Sequence, residues 1–286
     1  MPTLASAPVL VFDSGVGGLS IFADIASALP TVPLAFACDN AAFPYGTKTE
    51  TELLERVDVV LHALIARIQP RLVVVACNTA STVALPRLRR RFSLPIVGVV
   101  PAIKPAALIS HNKVIGLLAT PATVARPYTD ELIREFAGNC AVIKVGSREL
   151  VELAEAKLRG ATIAPVTLAP LLAPFFADRN HSADTIVLGC THFPLLRAEL
   201  AAATPVPVQW LDSGAAIARR VASLVAGLAA GPSAGTETAI AIATGTVSPE
   251  QALPAIAWMT ADTADAQALW PALATRGFTD LQFVTI

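Results

Sequence analysis

The chain has 286 residues, 54% of them hydrophobic and 15% charged, and its 21 Lys and Arg against 22 Asp and Glu leave a net charge of -1. At about 150 residues per domain this length points to two domains or one large one, and the apolar content excludes intrinsic disorder. The balanced charge lacks the basic excess that nucleic-acid backbones attract, which excludes nucleic acid as a main partner.

The first cationic side chain is Lys48, so the N-terminus lacks the basic start of a secretory signal. The longest charge-free run, Gly160 to Ala177, is broken by Pro165, Pro170 and Pro174. It falls short of the roughly 20 apolar residues a membrane span needs, and reads instead as a buried helical segment. Cys38, Cys77, Cys140 and Cys190 are too widely spaced for a disulfide scaffold and fit free thiols in a reducing cytoplasm.

In chain order, Pro8 to Phe12 reads as a strand and Gly17 to Leu29 as a helix. A strand at Leu34 to Cys38, a long helix from Glu50 to Ile68 and a strand at Leu72 to Ala76 follow. A helix then begins near Ser81, ahead of a strand at Pro95 to Val100. This alternation is the signature of βαβ units on a parallel sheet, and the run from Leu72 to Ala76 has no polar face, as expected under helices on both sides.

From Val114 the pattern restarts, with a strand to Leu118, a helix after Ala122, a strand at Val142 to Val145, a helix from Arg148 to Arg159 and a strand at Thr185 to Leu188. Beyond Pro205 come a strand at Val206 to Leu211, a helix from Gly214 to Ala226 and a Gly/Pro/Ser-rich stretch from Gly227 to Gly235. An alternating strand at Ala239 to Ala243, two helices and a final strand near Leu281 to Ile286 complete the reading. The expected fold is α/β, with two similar domains, each a largely parallel sheet flanked by helices, and the active site in the cleft between them. Residues 1–100 with 207–286 form the first domain and residues 101–206 the second.

The two halves offer matching chemistry. Ala76-Cys77-Asn78-Thr79 and Gly189-Cys190-Thr191-His192 each place a cysteine and two polar residues just past an apolar strand. The turns beginning at Asp13 and at Thr120 stand at nearly the same separation. The carboxyl ends of strands are where open α/β sheets bind ligands. A cysteine there, ahead of a helix, meets amide donors and a dipole that favour the thiolate. Taken alone, either cysteine reads as a small buried hydrophobe; two at matched positions point to chemistry.

Asp13-Ser14-Gly15-Val16-Gly17-Gly18 lets backbone amides approach an anion at a helix start, but has neither the dinucleotide nor the P-loop spacing, so a carboxylate fits better than a pyrophosphate. Taken alone, it is also a plain turn packing a helix on a strand. Cys190 and His192 lack a second closely spaced pair, which argues against a metal. A cysteine hydrolase leaves one half's thiol idle. Phe43-Pro44-Tyr45-Gly46 is either a loop over the cleft or a Pro-initiated turn, and Glu152 and Glu155 lie three apart on a helix, as a solvated face or with one acid behind the site.

In this order and spacing, the Asp13 to Leu19 turn, Pro44-Tyr45-Gly46, Cys77-Asn78-Thr79 and Cys190-Thr191-His192 resemble the glutamate racemases of the aspartate/glutamate racemase superfamily over residues 9 to about 215. Gly146-Ser147-Arg148-Glu149 departs from the Cys-Pro-containing segment of many relatives, which leaves the family's acid as either Glu152 or Glu155.

The resemblance implies a racemase without cofactor or metal, in which Cys77 and Cys190 are the two bases and Asp13 and His192 assist them. It implies that Ser14, Tyr45, Gly46, Asn78, Thr79, Thr120 and Thr191, with Asp13 and His192, bind the amino acid. The partner implied is L- or D-glutamate, with D-glutamate going to bacterial cell-wall peptidoglycan from the cytoplasm; no membrane is involved, and a homodimer stays open because relatives are often dimers. The alternatives are a sibling racemase acting on aspartate or a hydantoin, and an amino-acid-binding regulatory protein without turnover.

Overall fold

Along Val9–Asp13, successive side chains point to opposite sides of a sheet, and both sides are apolar. The strand can therefore be stable only with helices over both faces, and the computed structural model, which describes residues 7–178, 181–230 and 253–286, shows that arrangement. In the first half the chain forms β1 (Val9–Asp13), α1 (Leu19–Ala28), β2 (Leu34–Cys38), α2 (Glu50–Ile68), β3 (Leu72–Val75), α3 (Asn78–Arg91) and β4 (Ile96–Gly98). It continues through α4 (Ile103–Ile109), β5 (Val114–Ala119), α5 (Pro121–Val124), α6 (Pro127–Phe136), β6 (Ala141–Gly146), α7 (Glu149–Leu158), α8 (Pro165–Leu172), β7 (Thr185–Leu188), α9 (Arg197–Ala203) and β8 (Gln209–Leu211). The last stretch forms α10 (Gly214–Ala230), β9 (Ala255–Met259), α11 (Ala264–Gln267), α12 (Trp270–Ala274) and β10 (Phe278–Phe283).

Among the described residues the strands form two sheets, in the orders β10-β9-β2-β1-β3-β4 and β6-β5-β7-β8. Neighbouring strands run parallel. The fold expected from the sequence is borne out, and so is the internal likeness: β2-β1-β3-β4 and β6-β5-β7-β8 have the same order, so β3 with Cys77 and β7 with Cys190 are equivalent strands.

Each sheet separates two cores. Val9, Val11, Phe36 and Val74 face α1 and α10, whereas Leu10, Phe12, Ala37 and Val75 face α2 and α3. In the second sheet Val114, Leu118 and Ile186 face α7 and α8, and Ile115, Leu117 and Val187 face α4 and α6. Burying each large aliphatic or aromatic side chain is worth about 1.5–3 kcal/mol relative to exposure. α2 starts where the sequence supplies a reciprocal cap: the Thr49 side chain accepts from the Glu52 amide while the Glu52 side chain accepts from the Thr49 amide.

Several expectations are corrected. α3 starts at Asn78, directly after Cys77, and not near Ser81. Its polar first turn looks like a loop in sequence, but Ser81 Oγ donates to the Val75 carbonyl and accepts from the Val99 amide, which ties the helix to β3 and to the residue that follows β4. The run from Gly160 to Ala177 is not one buried helix: α8 and a 3-10 turn at Ala173–Phe176 bury Leu168, Leu172 and Phe175 and leave Val166 exposed. The strand expected at Ala239 to Ala243 lies outside the described residues, whereas β9, not foreseen, pairs with β2. A domain boundary at residue 207 would part β8 from β7, to which it is hydrogen-bonded, so we propose a division after Leu211 instead.

Candidate active site

A cleft opens at the carboxyl ends of both sheets. It is lined from the first half by Asp13, Ser14, Tyr45, Gly46, Cys77, Asn78 and Thr79, and from the second by Thr120, Glu152, Cys190, Thr191 and His192. The structure thus brings together the eleven residues of the expected set that the sequence placed at strand ends and turns, with Glu152. Glu155 stands behind them.

On the Cys190 side, His192 Nδ1 lies 3.8 Å from Cys190 Sγ and Nε2 lies 2.9 Å from Glu155 Oε1. Glu155 also accepts from the Val16 amide at 3.0 Å and from Arg159 at 2.9 Å. Geometry therefore separates the two glutamates that sequence left as alternatives: Glu155 is buried against His192, while Glu152 is exposed at the rim of the cleft. Burial works against ionised Glu155, but the His192 and Val16 hydrogen bonds and the Arg159 charge outweigh it and hold the carboxyl below its usual value. Burial likewise works against the His192 imidazolium, yet the hydrogen bonds and charges of Cys190 and Glu155 raise it to about 10.

On the Cys77 side, Ser14 Oγ lies 3.6 Å from Cys77 Sγ and 3.2 Å from Asp13 Oδ1. Asp13 is fully buried at the end of β1, and burial raises its carboxyl above the ordinary value against the opposing His192 charge and the Thr191 and Ser14 hydrogen bonds. The expectation that a helix start lowers the Cys77 thiol is corrected. Burial and the Asp13 charge push it well up, and the Ala80 amide and Ser14 hydroxyl only partly offset them. Cys77 faces the cleft as a thiol.

Two glycines let the halves meet. A Cβ at Gly15 would stand 2.6 Å from Glu155 Oε1, and one at Gly17 would collide with His192 Nδ1 and stand 2.6 Å from Thr191 Oγ1. Phe43 covers the His192 ring, with centroids 5.8 Å apart.

Hydroxyls divide into free and committed. Thr120 caps α5 by accepting from the Thr123 amide, and Tyr45 donates its hydroxyl to buried Asp39, so Tyr45 offers the cleft its ring and backbone. The sequence reading missed Asp39 and Thr260, which support Tyr45, and Arg148, which lines the cleft. The signal for Asp39 was present: like Asp13 it is an acid at the carboxyl end of a first-sheet strand. Among the described residues no group of three or more His, Cys, Asp or Glu is arranged to hold a metal ion, and no helix is long and apolar enough to cross a membrane.

The family model for Asp/Glu/Hydantoin racemase matches residues 14–221 of the chain. The chain belongs to the Asp/Glu/hydantoin racemase family. Within this racemase family, it is 57% identical over 216 residues to the glutamate racemase of Pectobacterium carotovorum, covering 76% of this chain and 75% of that one. It is 55% identical over 229 residues to the glutamate racemase of Salmonella typhi, covering 78% and 81%. The racemase fold superposes on Escherichia coli glutamate racemase, solved with L-glutamate and the activator UDP-MurNAc-Ala, with a TM-score of 0.85 and 46% identity over 97% of this chain and 98% of that one. Against Thermus thermophilus glutamate racemase in complex with beta-chloro-D-alanine the values are 0.72 and 28%, over 99% and 98%.

Proposed function

We propose that this chain interconverts L-glutamate and D-glutamate by a two-base mechanism in which Cys77 and Cys190 exchange protons with opposite faces of Cα. The observation that carries the reading is the pair of thiols on equivalent strands, lining one cleft, each with its own acid behind it. Inversion at a tetrahedral carbon needs a base on one face and an acid on the other, and a binding protein has no use for such a pair. The glutamate racemases of Pectobacterium and Salmonella at 57% and 55% identity support glutamate over aspartate or a hydantoin as the substrate.

The roles follow from the contacts. Asp13 acts on Cys77 through the Ser14 hydroxyl, and Glu155 holds His192 so that Nδ1 faces Cys190. One thiol, as thiolate, removes the Cα proton, and the opposite thiol returns one. The Cα–H bond is far less acidic than a thiol, so the developing negative charge must be met by fixed donors in a water-poor site. Asn78 and Thr79, beside Cys77, are positioned to bind the substrate carboxylate, Thr191 lines the cleft beside Cys190 with its hydroxyl committed to Asp13, and the Tyr45-Gly46 loop and Thr120 close the cleft around the side chain.

The four free cysteines suit the reducing cytoplasm, where we place the reaction, with D-glutamate passing to peptidoglycan synthesis and so to cell-wall biogenesis. A homodimer, an expectation the family brings, is tested by sedimentation equilibrium. The function itself is tested by proton NMR and circular dichroism in deuterated water, with L-glutamate and then D-glutamate. Loss of the dichroic signal with deuterium entering Cα from either enantiomer, abolished by Cys77→Ser and by Cys190→Ser, is the expected result. No exchange with glutamate but exchange with aspartate or a hydantoin would move the assignment to a sibling racemase, and silence with all three would leave an amino-acid-binding protein.

A further inference from the structure

The two acid-to-thiol chains are crossed between the halves. Asp13 ends β1 in the first half, yet its Oδ2 accepts a hydrogen bond at 2.8 Å from Thr191 Oγ1, the residue next to Cys190 in the second half. Glu155 lies on α7 in the second half, yet its Oε1 accepts at 3.0 Å from the amide of Val16 in the first. Each acid is oriented by a donor from the half whose thiol it does not serve.

The Thr191 hydroxyl has a single proton, and Asp13 receives it. The other Asp13 oxygen is held by the Ser14 amide at 2.5 Å and faces the Ser14 hydroxyl at 3.2 Å. Without the Thr191 hydroxyl, Asp13 Oδ2 would lose a donor in a site that water does not reach, and a carboxylate in that position rotates or takes up a proton. Either change falls on Ser14 and Cys77. The Cys190 side feels the change only through the charge that His192 and Asp13 share across the cleft, because His192 keeps its hydrogen bond to Glu155 and the Thr191 carbonyl is anchored independently by Ser20 Oγ at 2.9 Å.

We propose that Thr191, adjacent in sequence to Cys190, is a positioning residue for proton transfer at Cys77 on the opposite wall of the cleft. The inference rests on the two-thiol reading. It makes Cys77 competent only when the halves are closed on each other, since opening the cleft withdraws the donor that fixes Asp13.

The test is the deuterium isotope effect on kcat/KM, measured separately with L-glutamate and D-glutamate deuterated at Cα. The enantiomers have equal free energy, so kcat/KM must be the same in both directions in every variant, and rates alone cannot show which thiol is impaired. The isotope effect can. Slowing transfer at one thiol makes abstraction by that thiol limiting, and the effect grows only with the enantiomer that thiol deprotonates.

Asp13→Asn and Ser14→Ala mark the Cys77 side, and His192→Asn marks the Cys190 side. Thr191→Val is expected to lower kcat/KM by about 10- to 100-fold, as loss of a hydrogen bond to a charged group does. It should raise the isotope effect with the same enantiomer as Asp13→Asn and Ser14→Ala, and Thr191→Ser should restore wild-type behaviour. A rise with the His192→Asn enantiomer, or an equal rise with both, would overturn the proposal while leaving the racemase reading intact. A wild-type protein that exchanges no Cα hydrogen with glutamate would overturn both.

Discussion

Tyr45 donates its phenolic hydrogen to Oδ2 of Asp39 across 2.7 Å, and both side chains are buried. The same carboxylate takes Nε and Nη2 of Arg56 at 2.8 and 2.6 Å and Oγ1 of Thr260 at 2.7 Å. A wall of the cleft is thereby fixed by a residue that follows β9, more than 200 positions from the tyrosine it steadies. Thr260→Val keeps the shape and removes the donor. Under saturating and subsaturating glutamate it is expected to raise KM about 3- to 10-fold with kcat changed less than about twofold, and to lower Tm by about 2–4 °C. Thr260→Ser should restore both; an unchanged KM would show that Tyr45 does not need this clip.

Gly17→Ala tests the closeness of the halves. The added methyl would meet the His192 ring and, at 2.6 Å, Thr191 Oγ1, neither of which has room to retreat. Displacing reacting groups by about 1 Å costs on the order of 100-fold in rate. A loss of kcat of that order with a folded far-ultraviolet spectrum is expected, and near-normal kcat would mean that the contact is not needed for turnover.

His192 should be an imidazolium in the resting protein. Its folded pKa of about 10 stands above the ordinary 6.5, so its interactions with Cys190 and Glu155 together stabilise the fold fully below pH 6.5, and that contribution is lost as pH rises through about 10. Nitrogen-15 NMR of the labelled ring should show both nitrogens protonated at pH 7, and Glu155→Gln should bring the midpoint down towards the ordinary value. A ring already neutral at pH 8 would contradict the charge balance described for the Cys190 side.

Asp24, on α1, is raised from 3.8 to about 6 by burial and by the charge of Asp212, which Arg197 only partly relieves. Because the folded state holds this carboxyl above its ordinary value, ionisation works against folding. The penalty is absent below pH 3.8, grows up to about 6 and is complete above it. The side chain is only half-buried and solvent screens it, so Asp24→Asn is expected to raise Tm by about 1–3 °C at pH 8. The gain should vanish as pH falls to about 4, and a gain independent of pH would point to packing rather than charge.

Much of this was legible because the chemistry sits on regular strand-to-helix junctions. Asp13, Cys77 and Cys190 each follow an uninterrupted apolar strand, and a local pattern is enough to place them. Glu155 was not separable from Glu152, since both ride on α7 and only contact with His192 distinguishes them. β9 was missed because Ala255-Ile256-Ala257 is as compatible with a helix as with a strand until β2 offers it a partner. The Asp39–Thr260 clip has no local trace in the sequence, because it joins segments that only the completed sheet brings together.

That sheet also sets an order of assembly. The strands of the second sheet all lie between residues 114 and 211, but β2 waits for residues 255–259 before its outer edge is paired. Until that segment emerges from the ribosome, Leu34-Ala35-Phe36-Ala37-Cys38 presents a bare apolar edge that another nascent copy can join. The same late segment delivers Thr260 to Asp39. Closing the vulnerable edge and setting the Tyr45 wall are thus one event, and a chain arrested short of it is aggregation-prone and catalytically incomplete at once.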